Sequence, residues 1–193
     1  MTPPCSAEHS TLAIGLGANL PSAAGAPLDT LVAVRPQLHQ LLLGWAGVAC
    51  HLCWSPLFHT APVGGPPDQP DYLNAALLVV APRPPSAAKA LELLVGLHRL
   101  EQAFGRERLE RWGPRTLDLD LLWWGDLRCD RPELHLPHPR WHERGFVLAP
   151  LLAIERGWGG AISLPAGFAP LVELLAACAE PPPQRMVSSS MAW

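Results

Sequence analysis

The sequence predicts an α+β sandwich, an antiparallel sheet with helices packed on one face, followed by short C-terminal helices. Three observations carry this. Apolar runs of strand length are interleaved with two longer segments of helical spacing. Clusters of Pro and Gly separate the runs. Apolar residues make up 49% of the 193 and charged residues only 16%, enough to bury a sizeable core. A single domain is expected over residues 10–180, with the Pro- and Ser-rich stretch 181–193 as a flexible tail.

In chain order, Thr11–Leu16 reads as a buried strand ended by Gly17-Ala18-Asn19. Leu28, Leu31, Val32, Val34, Leu38, Leu41 and Leu42 recur at helical spacing over residues 27–43, with Pro36 expected to kink the helix. Val48–Trp54 is a second strand, and a Pro/Gly-rich loop from Thr60 follows it. Tyr72–Val80 is a third strand, stopped by Pro82, Pro84 and Pro85. Ser86 caps a helix that runs to about Phe104 and ends at Gly105. Leu117–Trp124 is a strand closed by a turn at Gly125-Asp126. Strand, helix, strand, strand, helix, strand is the split βαβ order of a ferredoxin-like sandwich. Helices on one face would leave the other face open for a site.

The sharpest chemical signal is Arg115-Thr-Leu-Asp118-Leu-Asp120-Leu-Leu. Alternation sends Leu117, Leu119 and Leu121 into the core and Asp118 and Asp120 out together, with Cα atoms ~6.5–7 Å apart. Paired carboxylates at this spacing suit Mg²⁺, including two ions; the plainer reading is a strand face with two solvated acids. Arg99, Arg106, Arg108, Arg111 and Arg115 precede the pair, and Arg140 and Arg144 follow it. Clustered arginines beside carboxylates suit a polyphosphate, unless Glu101, Glu107 and Glu110 simply neutralise them. Gly15-Leu-Gly17-Ala-Asn19 lacks the third glycine of a dinucleotide loop and the Lys of a P-loop, so it reads as a tight turn.

Cys50 and Cys53 have zinc-ligand spacing but fall on opposite faces of a strand, so packing is the expectation. His135, His138 and His142 straddle Pro137 and Pro139 and lack sustained helical spacing, which disfavours a zinc site there. Tyr72 and Asn74, beside the Pro/Gly loop, suit stacking on a planar ligand.

Four blocks together resemble the 6-hydroxymethyl-7,8-dihydropterin pyrophosphokinases of folate biosynthesis. They are Ile14-Gly-Leu-Gly-Ala-Asn-Leu; Thr60-Ala-Pro-Val-Gly-Gly with Asp68-Gln-Pro-Asp-Tyr-Leu-Asn-Ala; Glu101-Gln-Ala-Phe-Gly-Arg-Glu-Arg with Arg111-Trp-Gly-Pro-Arg-Thr-Leu-Asp-Leu-Asp; and Leu136-Pro-His-Pro-Arg with Glu143-Arg-Gly-Phe-Val-Leu-Ala-Pro-Leu. The resemblance implies the ferredoxin-like fold and ATP-dependent transfer of pyrophosphate to the pterin hydroxymethyl group, with release of AMP. It implies Asp118 and Asp120 as ligands of two Mg²⁺ ions, Asp120 also receiving the hydroxyl proton. Arg106 and Arg108 match catalytic-loop arginines. Glu101, Trp112, Arg115, His138 and Arg144 match ATP-binding positions. Tyr72 and Phe146 match an aromatic pair around the pterin, Asn74 the residue reading its amide edge, and Thr60, Pro62 and Val63 the pocket lining. Three departures stand out: Ala18 replaces a common serine, the Arg106–Trp112 stretch is short and lacks lysine, and His135 replaces a common threonine.

The alternatives are a ferredoxin-like RNA-binding module and a Mg²⁺-dependent phosphohydrolase. A net charge of −3 disfavours nucleic acid. No apolar run is long enough to span a membrane. Five cysteines and no signal peptide suggest a reduced, cytoplasmic protein, expected as a monomer.

Overall fold

The computed structural model describes residues 10–81, 84–107, 113–158, 161–186 and 193. Strand β1 (Ser10–Ala18) is followed by helix α1 (Pro27–Ala46) and two short strands, β2 (His51–Trp54) and β3 (Phe58–Thr60). Strand β4 (Tyr72–Ala81), helix α2 (Ala87–Ala103) and strand β5 (Asp118–Trp124) complete the split βαβ order. Beyond it lie a small hairpin, β6 (Cys129–Arg131) and β7 (Leu134–Leu136), helices α3 (Gly145–Trp158) and α4 (Leu171–Ala177), and strand β8 (Gln184–Arg185).

The main sheet runs β5-β1-β4-β3-β8, with β2 also paired to β4. Every pairing is antiparallel. β2 and β3 are one strand interrupted at Ser55, whose Oγ accepts from Ala76 N–H (2.9 Å) and so keeps the buried ladder satisfied across the break. β3 ends at Thr60, which leads straight into the loop that walls the site.

Both long helices form where expected. Pro27 opens α1 with its φ preset, Asp29 accepts from Ala26 N–H (2.9 Å), and Gly47 ends the helix at φ 66°. Pro36 lies within α1 without ending it. Pro36 is exposed, so its ring takes no space in the core. Ser86 caps α2 by accepting from Lys89 N–H (3.4 Å), and Gly105 follows the helix at φ 78°. The second strand starts at His51 rather than Val48, because Gly47 and the exposed Val48 are still turning away from α1.

One sheet face carries Leu12, Ile14, Leu16, Leu77, Leu119 and Leu121 against Leu31, Val34 and Leu38 of α1 and Leu93 and Leu97 of α2. The opposite face is not fully open, however. Its far half carries Ala13, Ala76, Leu78, Leu122 and Trp123 against Leu148 and Leu151 of α3, Trp141 and Leu171. Among the described residues, these C-terminal helices leave uncovered the end of the face where Gly17, Asn74 and Asp118 lie.

Gln184 and Arg185, within the stretch expected as a flexible tail, form β8 beside β3. Trp193 also lies against the protein, with its indole 4.6 Å from the Arg35 guanidinium and its Nε1 donating to Ser55 O (2.8 Å). Among the described residues, no helix is long and apolar enough to cross a membrane.

Candidate active site

A cavity of about 390 Å³ opens at the uncovered end of the sheet. Its floor is set by strand register. Gly17 is paired with Asn74 on one side and Asp118 on the other. One pleat further on, Gly15 is paired with Ala76 and Asp120. Glycine in the middle strand keeps the floor bare between an amide and a carboxylate whose Cα atoms stand about 10 Å apart, two strand spacings. A Cβ on Gly17 would lie 2.9 Å from Asn74 Oδ1. The glycines expected as a turn therefore lie inside β1, where the site needs the absence of a side chain.

Asn74 is buried, and its Nδ2 donates to Thr60 Oγ1 (2.7 Å). Thr60, Pro62 and Val63 form the adjoining wall, with Tyr72 and Phe146 lining the same cavity. The Tyr72 hydroxyl donates to Gly113 O (3.2 Å), and burial pushes its pKa up. All six residues expected around a planar ligand thus line this one cavity.

The charged end is built from β5. Asp118 Oδ2 is 2.7 Å from Arg115 Nη1, and Asp118 Oδ1 is 2.6 Å from Arg106 Nη1. Asp120 lies beside them. Burial, reinforced by the Asp118 charge, pushes its pKa up to about 7 despite the opposing pull of Arg106. Two hard carboxylates on one strand face, one paired with two arginines and the other destabilised as an anion, fit a divalent cation. Among the described residues, no three His, Cys, Asp or Glu side chains cluster as a metal site. Mg²⁺ bound here would complete its shell with phosphate oxygens and water, its usual preference.

Glu101 is placed differently from the other charged residues. It lies off the cavity wall, buried beneath β5, where its carboxylate accepts from Leu119 N–H (2.8 Å) and pairs with Arg106. It therefore anchors the backbone between the two aspartates instead of facing the ligand space. Arg106 likewise sits between Glu101 and Asp118. Arg108 and Trp112 lie outside the described residues.

His138 and Arg144 line the cavity beside Arg115. A register shift between β1 and β5 places Leu122 as an extra residue, opposite Ala13 and Ile14. The Leu122 carbonyl, released by this bulge, accepts from His138 N–H (2.7 Å). Burial lowers the His138 pKa, partly offset by Asp118. Of the other histidines, His135 pairs with exposed Asp130 (3.1 Å) and His142 packs near Phe168, both away from the cavity lining. Cys50 and Cys53 pack on different clusters, as strand alternation implies.

Asn19 escaped the residue-by-residue reading. It is buried, its Oδ1 accepts from Arg115 N–H (2.7 Å), and its Nδ2 donates to Pro70 O (3.0 Å). Its own N–H donates to Arg115 O (3.0 Å). One side chain thus ties the loop before β4 to the start of β5. The only local signal was an Asn after a Gly-rich strand, which also marks an ordinary turn.

Residues 13–156 match the family model for 7,8-dihydro-6-hydroxymethylpterin-pyrophosphokinase (HPPK). A 2-amino-4-hydroxy-6-hydroxymethyldihydropteridine pyrophosphokinase of Synechocystis is 42% identical over 75% of this chain and 66% of its own length. The Haemophilus influenzae protein of the same name is 38% identical over 75% of this chain and 81% of its own. A Plasmodium falciparum HPPK-DHPS crystal structure superposes with a TM-score of 0.51 at 13% identity, covering 87% of this chain and 43% of that one, a likeness of fold alone. The chain belongs to the 7,8-dihydro-6-hydroxymethylpterin-pyrophosphokinase family.

Proposed function

We propose that this chain transfers the terminal pyrophosphoryl group of ATP to the hydroxymethyl oxygen of 6-hydroxymethyl-7,8-dihydropterin, releasing AMP. The observation that carries the reading is the row Asn74–Gly17–Asp118: an amide reader and a carboxylate pair face one another across a bare floor. The pterin would lie between Tyr72 and Phe146, with Asn74, held by Thr60, reading its amide edge. The triphosphate would lie over Asp118 and Asp120, against Arg115, His138 and Arg144.

Phosphoryl-type transfer needs in-line positioning and charge neutralisation more than covalent chemistry. Two Mg²⁺ ions held by Asp118 and Asp120 would neutralise the phosphates and polarise the β-phosphoryl centre. The pterin hydroxymethyl oxygen attacks Pβ, the bond from Pβ to the α,β-bridging oxygen breaks, and AMP leaves with that oxygen. Asp120 would receive the hydroxyl proton. Arg106 and Arg115, now engaged with Asp118, would turn to the phosphates as those arrive, and Arg108 would join them.

Neither an RNA-binding module nor a simple phosphohydrolase finds support in the family match. A monomeric, cytoplasmic enzyme is part of this proposal, in line with an odd count of five cysteines in the sequence. Assaying AMP release from ATP and Mg²⁺ with and without the hydroxymethylpterin tests the reading. AMP formation only with pterin is expected. Pterin-independent AMP would indicate a hydrolase, and none under either condition would refute the proposal.

A further inference from the structure

Residues 178–186 lie beyond the span matched by the family model, yet they reach the site from behind. Arg144 Nη1 donates to Glu180 Oε1 (3.0 Å), while Gly145 N–H donates to Glu180 Oε2 (2.8 Å). Both charged side chains are largely shielded, Arg144 10% and Glu180 15% exposed, so this pair is screened far less than a surface ion pair. The Arg144 carbonyl accepts from Val147 and Leu148 N–H, so α3 begins at the same residue. Phe146 then sits in the first turn, with the Arg144 guanidinium carbon 5.7 Å from its ring centroid. One carboxylate therefore orients an arginine of the cavity wall and fixes the helix start carrying an aromatic of that wall.

Glu180 is itself held on both sides. Upstream, Cys178 Sγ donates to Glu143 O (3.3 Å). Downstream, Gln184 and Arg185 pair with β3, and Met186 N–H donates to Leu57 O (2.9 Å). A Cβ on Gly145 would already touch Cys178 Sγ, Glu180 Oε2 and Pro183 Cδ at 3.5 Å each, so the strap lies in direct contact with the start of α3.

We propose that Glu180 is a positioning residue for substrate binding, acting through Arg144 on the triphosphate and through the start of α3 on the pterin ring. This rests on the reading of the cavity as an ATP and pterin site. Arginine has five donors in a rigid fork, and the bond to Glu180 leaves the others to meet phosphate in a fixed orientation.

The test is steady-state kinetics on the full chain, comparing the parent with Glu180→Ala, Glu180→Gln, Arg144→Ala and the double variant Glu180→Ala/Arg144→Ala. Loss of one charge-assisted contact should raise the KM for ATP by about fivefold in Glu180→Ala, with kcat within about twofold. In the Arg144→Ala background, removing Glu180 should raise it no further, the non-additivity expected when one residue acts through the other. Glu180→Gln keeps an acceptor for Gly145 N–H and drops the charge, so it should restore the pterin KM while the ATP KM stays raised. Should Glu180→Ala fail to fold, Glu180→Gln alone decides by that split. An ATP KM within twofold of the parent, additive effects, or a fall in ATP KM (showing that the carboxylate only competes with phosphate) would overturn the assignment. A parent chain releasing no AMP in the presence of pterin would overturn this proposal and the functional reading together. An active parent with unaffected Glu180 variants would overturn this proposal alone.

Discussion

Replacing Asn19 with alanine should damage both stability and turnover, although Asn19 itself touches neither substrate in the proposed arrangement. The substitution removes the acceptor for Arg115 N–H and the donor to Pro70 O, at 2.7 and 3.0 Å, from a residue only 3% exposed. Each backbone group left without a partner costs ~1–2 kcal/mol in a partly buried setting. The expected loss is about 3 kcal/mol, or about 6–12 °C in Tm for a chain of this size. Asn19→Asp keeps the acceptor and should lose roughly half as much. Urea unfolding followed by tryptophan fluorescence measures the stability, and AMP release measures turnover. Because Arg115 leads directly into Asp118, turnover in folded Asn19→Ala should fall further than that of Asn19→Asp. A stability change below about 0.5 kcal/mol, the range of an uninvolved surface substitution, would refute the view that Asn19 clasps the site together.

Three further expectations follow from the same geometry. Asp120 has a folded-state pKa of about 7, against about 3.9 when unfolded; the metal-free protein should therefore lose stability as pH rises from about 4 through 7, and Asp120→Asn should remove that slope. Urea midpoints in a chelator at pH 5 and pH 8 check this, with the variant the more stable at pH 8 by at most ~4 kcal/mol and the pair converging toward pH 4. Arg106→Ala should lower single-turnover chemistry by at least about tenfold while changing ATP affinity less, and should also destabilise the fold because Glu101 loses its guanidinium partner; equal losses in binding and chemistry would make Arg106 a static clamp. Gly17→Ala should weaken pterin binding more than ATP binding, since its Cβ displaces Asn74 Oδ1, and isothermal titration with each ligand separates the two.

The fold was legible because its main elements are locally consistent. Ser86 and Gly105 bracket α2 with their own chemistry, and the Leu-Asp-Leu-Asp alternation of β5 encodes both its faces. The carboxylate pair could be read for the same reason, since i and i+2 on a strand share a face whatever surrounds them. The burial of Glu101 was not legible because the orientation of a helix terminus depends on how α2 packs beneath β5, which periodicity does not encode. The covering of the second sheet face by α3 and α4 was missed for a similar reason, as was Asn19, whose partners are 51 and 96 residues away. Glu180 faces Arg144 only because of the way the chain crosses from α4 to β8, a path no local pattern specifies.

The position of β1 has a consequence for how the chain acquires its structure. Its two neighbours, β4 and β5, begin at Tyr72 and Asp118, so it has no sheet partner from the early chain. During synthesis, β1 must wait for about two fifths of the sequence before β4 covers one edge, and for nearly two thirds before β5 covers the other. Pairings this distant carry a high loop-closure cost and make folding slow relative to helical domains. Until β5 arrives, an apolar strand with unpaired amides is a template for association with other nascent chains. Substitutions that weaken β5 pairing should therefore lower the yield of soluble protein before they alter the activity of the molecules that do fold.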